Sequence, residues 1–132
     1  MPDFSVAMRN RCVDYLRGAG APTAITAIYA ELFNGDPQAS GSSVQNTVTG
    51  SAARTNITSA MAAASSGAST NSTTITITAA AVGGATVTHL AVYDASTGGN
   101  LIASHALTSG NLTVTAGNPV QINASGIVLT IA

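Results

Sequence analysis

Beyond Arg54 in this chain of 132 residues, His89, His105 and Asp94 are the side chains suited to acid/base or metal chemistry at neutral pH. The two histidines fall on apolar, Thr-rich segments either side of the turn Asp94 to Gly99, where facing strands bring such residues within a residue of register. Two imidazoles are not a metal site. Zinc takes three or four ligands, and no further His, Glu or Cys lies nearby in sequence. The remaining metal arrangements are an intrachain ion or one shared across a symmetry axis, and a structural role for both residues is favoured over either. A Ser-His-Asp set can be drawn from any of the 14 Ser with His89 and Asp94, but the chain contains no G-x-S-x-G elbow to raise a serine above its neighbours. The Gly-rich piece STGGN (96 to 100) lacks the Lys of a phosphate-binding loop and reads as a turn. No catalytic, cofactor or metal residue is therefore expected, and the chain is read as not an enzyme.

The cations offer a different chemistry. Arg9, Arg11 and Arg17 cluster on or beside a predicted helix, where Asp14 lies three residues from both Arg11 and Arg17 and favours local pairing. Arg54 is the lone cation in a tract of small residues, which suits an anchor toward another subunit. These four arginines are the candidate partner contacts. With no Lys and a net charge of −1, nucleic acid is not expected as a partner. Asn-x-Ser/Thr patterns occur at Asn56, Asn71, Asn111 and Asn123, where chance in a chain this rich in Asn, Ser and Thr gives about two, and without a secretory signal they carry no functional weight. Cys12 is the single cysteine and is expected as a free thiol. No apolar run is long enough to span a membrane, and the N-terminus lacks the order of a secretory signal, so membranes are not expected as partners.

The elements that must position these groups are built from small residues. Ala, Thr, Ser and Gly number 25, 18, 14 and 13, while Leu, Ile, Val and Phe together make only 28, so the core is thin and neighbouring chains are expected to help stabilise it. Of the nine charged side chains only Asp94 lies beyond Arg54.

Residues 3 to 17 read as an amphipathic helix, with Asp3 at the N-cap position, a stripe of Phe4, Met8, Cys12, Tyr15 and Leu16, and Gly18 as the stop. The segment TAITAIYAELF (23 to 33) fits a helical stripe and also a strand apolar on both faces, with periodicity favouring the helix. Residues 40 to 72 form a low-complexity tract, in which VQNTVTG (44 to 50) is β-like and ITSAMAAASSGAS (57 to 69) reads as a frayed helix or an extended arm. From residue 73 onward, runs at 73 to 79, 85 to 94, 100 to 107, 111 to 116, 119 to 123 and 126 to 132 alternate with Gly-containing turns. This spacing predicts an antiparallel β-sandwich or jelly-roll-like domain. The chain thus reads as one mainly β domain over 1 to 132, with an N-terminal α-helix (1 to 20), a strand plus Ser/Gly/Ala-rich arm (21 to 72) and a sandwich core (73 to 132).

Taken together, IYAELFNGDP (28 to 37), the small-residue tract before TTITITAAA (73 to 81), and ATVTHLAVYDASTGGNLIASHALT (85 to 108) resemble a family of small tailed-bacteriophage virion proteins of the tail-fibre-like or head-decoration type. In that family the segment matching 25 to 33 is a strand, and the resemblance implies the same here. It also implies a non-enzymatic virion protein, assembled in the host cytoplasm. The leading expectation is a decoration or cement protein binding the major capsid lattice as a homo-oligomer, a trimer being favoured. The alternative is a tail, neck or baseplate knob or fibre component with host-receptor contact. A virion hydrolase would need a carboxylate pair or an activated nucleophile, which the β half lacks.

Overall fold

The computed structural model describes residues 3–39, 42–43, 54–78, 85–108, 110–114 and 118–130. Among the described residues one α-helix, α1 (Val6–Leu16), accompanies twelve short strands: β1 (Asp3–Phe4), β2 (Tyr29–Asn34), β3 (Ser42–Ser43), β4 (Thr55–Asn56), β5 (Ala68–Thr70), β6 (Ile75–Thr78), β7 (Ala85–Val87), β8 (His89–Tyr93), β9 (Leu101–Ala106), β10 (Leu112–Val114), β11 (Pro119–Ile122) and β12 (Val128–Thr130). The fold is mainly antiparallel β with one N-terminal helix. The main sheet runs β1-β9-β8-β2-β3, with β4 also paired to β2, and three two-stranded ribbons pair β10 with β7, β11 with β6 and β12 with β5.

Alternation along the strands explains how the layers pack. Ala30 and Leu32 of β2 lie opposite Val92 and Leu90 of β8. They face a core completed by Ile75 and Ile77 of β6, Val87 of β7, Val114 of β10, and Ile57 and Ile127 from connecting segments. The ribbons therefore cover one face of the main sheet in a sandwich-like arrangement. Glu31 and Phe33 project from the other face, and both are buried. Burial on both faces leaves β2 apolar at consecutive positions, which is how a strand imitates a helical stripe. The strand implied for 25 to 33 is present, but it begins at Tyr29; residues 20 to 28 have no regular structure, and Ile25 is exposed.

The helix is shorter than 3 to 17. Asp3 does not cap it, because Asp3 and Phe4 pair with Ser104 and Ala103 of β9 as a strand. Ser5 takes the cap instead: its hydroxyl accepts from the Met8 amide at 3.2 Å and donates to the Leu101 carbonyl. At the other end Gly18 adopts φ +85°, Ala19 N–H bonds Asp14 O and Gly18 N–H bonds Tyr15 O, a Schellman closure that requires the left-handed glycine. Phe4 and Met8 pack against the core, whereas Tyr15 and Leu16 are exposed, so only the first half of the predicted stripe docks.

Residues 57 to 69 are neither a frayed helix nor an extended arm. After a 3-10 turn (Thr58–Ala60) the chain makes a hairpin, with bridges Met61 to Asn71 and Ser65 to Ala68. Ser66 and Gly67 form its tip, both with positive φ, in the left-handed geometry that matches strand twist. β12 pairs with the second leg of the hairpin, in register Val128 to Thr70 and Thr130 to Ala68. The β-like piece at 44 to 50 lies outside the described residues.

Candidate functional site

The loop joining β8 to β9, residues 94 to 100, is shaped from two sides. From within, Asp94 accepts the Asn100 amide on Oδ1 at 2.6 Å and the Asn100 side-chain NH2 on Oδ2 at 3.0 Å. The Asn100 side-chain bond, then its backbone N–H and the nearby Arg11 charge, hold the Asp94 carboxyl below the usual carboxylate range, against an opposing contribution from burial. Gly98 and Gly99 sit at φ 59° and 69°. A Cβ on Gly99 would lie 2.5 Å from Asp94 Oδ1, so the turn needs glycine both for conformation and for room.

From beneath, Arg54 reaches across the sheet. Its Nε donates to Glu31 Oε2 at 2.7 Å, and one NH2 group donates to the carbonyls of Ala95 (2.9 Å) and Gly98 (2.6 Å). The guanidinium lies 3.5 Å from the centroid of the Tyr93 ring. That ring in turn stacks against Phe33, with centroids 6.4 Å apart. Both charges are withdrawn from water, with side-chain exposures of 13% for Arg54 and 3% for Glu31. Burial first, and the Glu31 charge second, push the Tyr93 phenol above its ordinary pKa, with Arg54 opposing.

A second polar centre serves the small-residue region. Asn71 is fully buried, and its side chain donates to the carbonyls of Thr73 (2.9 Å) and Asn123 (2.8 Å) while accepting the Ile127 amide at 2.8 Å. Its backbone N–H donates to Ile127 O, and its carbonyl accepts from Ser125 N–H. One amide thereby fastens the hairpin to the segment leading into β12.

The residues singled out by type fall as follows. Leu90, and not His89, lies opposite His105, so the one-residue offset sends the two histidines to opposite faces of the sheet. His89 Nδ1 meets Thr88 Oγ1 at 2.8 Å. Among the described residues His105 Nδ1 is buried without a hydrogen-bond partner, no group of three His, Cys, Asp or Glu is placed to hold a metal ion, and no hydrogen bond joins His89 to Asp94. Arg17 pairs with Asp14 at 2.7 Å as the helical spacing indicates. Arg11 turns instead toward Asp94 Oδ2 at 3.8 Å, and Arg9 is exposed. Arg54, expected as an anchor toward another subunit, is engaged by its own chain. Glu31 escaped the residue-type reading, although a single carboxylate inside the apolar run IYAELF signals a buried partner. Asn71 gave no signal beyond a chance glycosylation pattern.

The described residues form a strand-rich module whose buried polar groups shape its own loops. The particular family is given by comparison: the model of a family described as podophage GP4 fiber I protein gp80 matches residues 3–130, and the chain belongs to that family. It is a phage virion protein of the tail-fibre-like type. No curated protein matches it.

Proposed function

We propose that the chain is a non-enzymatic structural module of a podophage fibre that assembles with copies of itself as a homotrimer. The family match over nearly the whole chain carries this reading. It favours the fibre alternative over capsid decoration, for which no separate observation speaks. Self-association is supported by the thin core and by apolar side chains left in water on α1, where Val6, Val13 and Leu16 are exposed. Arg9 and Arg17, at the surface of that helix, are the cations best placed to orient a neighbouring subunit.

Copy number tests the location. Gel densitometry of purified virions gives about six to eighteen copies for a tail component and hundreds for a capsid protein, by the symmetry of such particles. Hundreds of copies would overturn the fibre reading. Light scattering of the purified chain tests the assembly state: a mass about three times 12.9 kDa is expected, and a stable monomer at high concentration would overturn the trimer.

A further inference from the structure

The turn Asn34-Gly35-Asp36-Pro37 closes β2 and holds the one Asn-Gly pair among the nine asparagines of the chain. That pair has a chemistry of its own. The Gly35 backbone nitrogen, once it sheds its proton, can attack Cγ of the Asn34 side chain, because glycine has no Cβ to obstruct the approach. A new N–Cγ bond closes a five-membered imide and the side-chain nitrogen leaves as ammonia. Water then opens the ring at either carbonyl, giving an aspartyl or an isoaspartyl link. Gly35 adopts φ +86°, so the turn requires the very residue that makes Asn34 labile, and Asn34 is exposed at the strand end.

A restraint sits beside it. Gly35 N–H donates to Thr88 Oγ1 at 2.7 Å, which occupies the proton that must leave before the nitrogen can attack. Thr88 is fixed on both sides, its N–H on the Phe33 carbonyl and its own carbonyl on the Leu107 N–H, each at 2.9 Å. Accepting from Gly35 leaves the hydroxyl one proton to give, and His89 Nδ1 lies 2.8 Å away to accept it in the Nε2–H tautomer. A hydroxyl that donates is the stronger acceptor, so His89 tightens the hold on Gly35. Phe33 is paired to His89, and Asp36 Oδ1 accepts from the Ser104 hydroxyl at 3.0 Å. The backbone between these two anchors cannot swing Gly35 N onto Cγ without loosening one of them.

We propose that Asn34 is a site of spontaneous deamidation, held in check by the Thr88 hydroxyl and released when the end of β2 opens locally. Either product puts a carboxylate two residues from Asp36. The isoaspartyl form also adds a main-chain methylene between two anchored points, so conversion loosens the pairing of Asn34 with Ser42 of β3. Water is the only co-reactant, and the chain undergoes the change wherever it sits in the virion.

The experiment incubates the full chain at mildly alkaline pH, folded or unfolded in urea, and follows Asn34 by peptide mapping, where conversion adds about one dalton and the two products separate. Conversion is expected at Asn34 ahead of the other asparagines, and at least about tenfold slower in the folded chain than in urea. Thr88→Val keeps the branched shape without the hydroxyl and is expected to raise the folded-state rate at least about threefold, as the loss of one hydrogen bond allows. Thr88→Ser is expected to keep the native rate, and amide exchange at Ile127 to stay unchanged in Thr88→Val. Equal rates in the folded and unfolded chain would overturn the restraint, as would Thr88→Val at the native rate or Thr88→Ser as fast as Thr88→Val. Acceleration in Thr88→Val matched by faster exchange at Ile127 would overturn it in favour of opening of the whole module. Asn34 left intact in urea would overturn the site itself.

Discussion

The loop over β8 and β9 and the hairpin at 61 to 71 pose the same physical problem: an irregular stretch of small residues with little apolar bulk to bury. They solve it differently. The loop is held by a buried ion pair, Arg54 to Glu31, that also grips two of its carbonyls. The hairpin is held by one neutral amide, Asn71, whose side chain makes three backbone hydrogen bonds. A buried ion pair is costly to desolvate and punishes loss of either member, whereas a satisfied amide carries no charge into the core. The charged device is found where the chain presents a shaped polar loop, and the neutral one where it joins two pieces of scaffold.

The largest separation between the two regions comes from Arg54→Met. It leaves the Glu31 carboxylate buried without its cation and is expected to cost about 3 to 5 kcal/mol in chemical unfolding followed by circular dichroism. Adding Glu31→Gln should recover part of that loss, because the double variant buries no lone charge. A double variant as unstable as the single would show that the loop carbonyls, and not the ion pair, dominate. Next comes Asn71→Ala, which strands the Ile127 amide and the Thr73 carbonyl and leaves the Asn123 carbonyl with the Gly126 N–H alone, for a loss of about 2 to 3 kcal/mol. Here no second substitution on a charged residue should rescue stability. Gly99→Ala is milder in origin, because it combines left-handed strain with a Cβ pressed on Asp94. A loss of roughly 1–2 kcal/mol is expected from the left-handed backbone. Its NMR shift changes should stay within residues 93 to 101 and leave the Asn71 region unmoved.

How much of this was legible follows the same division. The strands from residue 73 onward appear where Thr, Val and Ile runs stand between Gly turns, because in a sandwich each strand carries its own alternating signal. The turn at 94 to 100 was equally readable from Asp94 and the paired glycines. What escaped depends on distant partners. β2 is buried on both faces, which erases alternation, and only a family resemblance turned it from helix to strand. The helix cap moved from Asp3 to Ser5 because β9 recruits Asp3 and Phe4 as a strand, and local spacing contains no trace of that. Arg54 reads as free for another subunit until Glu31 and Tyr93 are brought beside it. Asn71 is one of nine asparagines, and only the chain from 123 to 127 distinguishes it.

The smallest effect discriminates the two regions most cleanly, because acid reaches only one of them. Asp94 is held below its ordinary pKa in the folded chain, first by the Asn100 side chain and then by the Asn100 amide. A carboxylate whose folded pKa is depressed contributes stability that is fully present above its unfolded value, about 3.9, and is lost as pH falls through the folded value. Asn71 and its partners carry no group that titrates there. Hydrogen exchange at successively lower pH, corrected for intrinsic rates, should therefore show protection of the Asn100 amide falling below about pH 4 while that of the Ile127 amide holds. Asp94→Asn should abolish the difference by removing the titrating group. Parallel loss at both amides in the native chain would mean that acid opens the module as one unit, and that the two polar centres, although built from different chemistry, fail together.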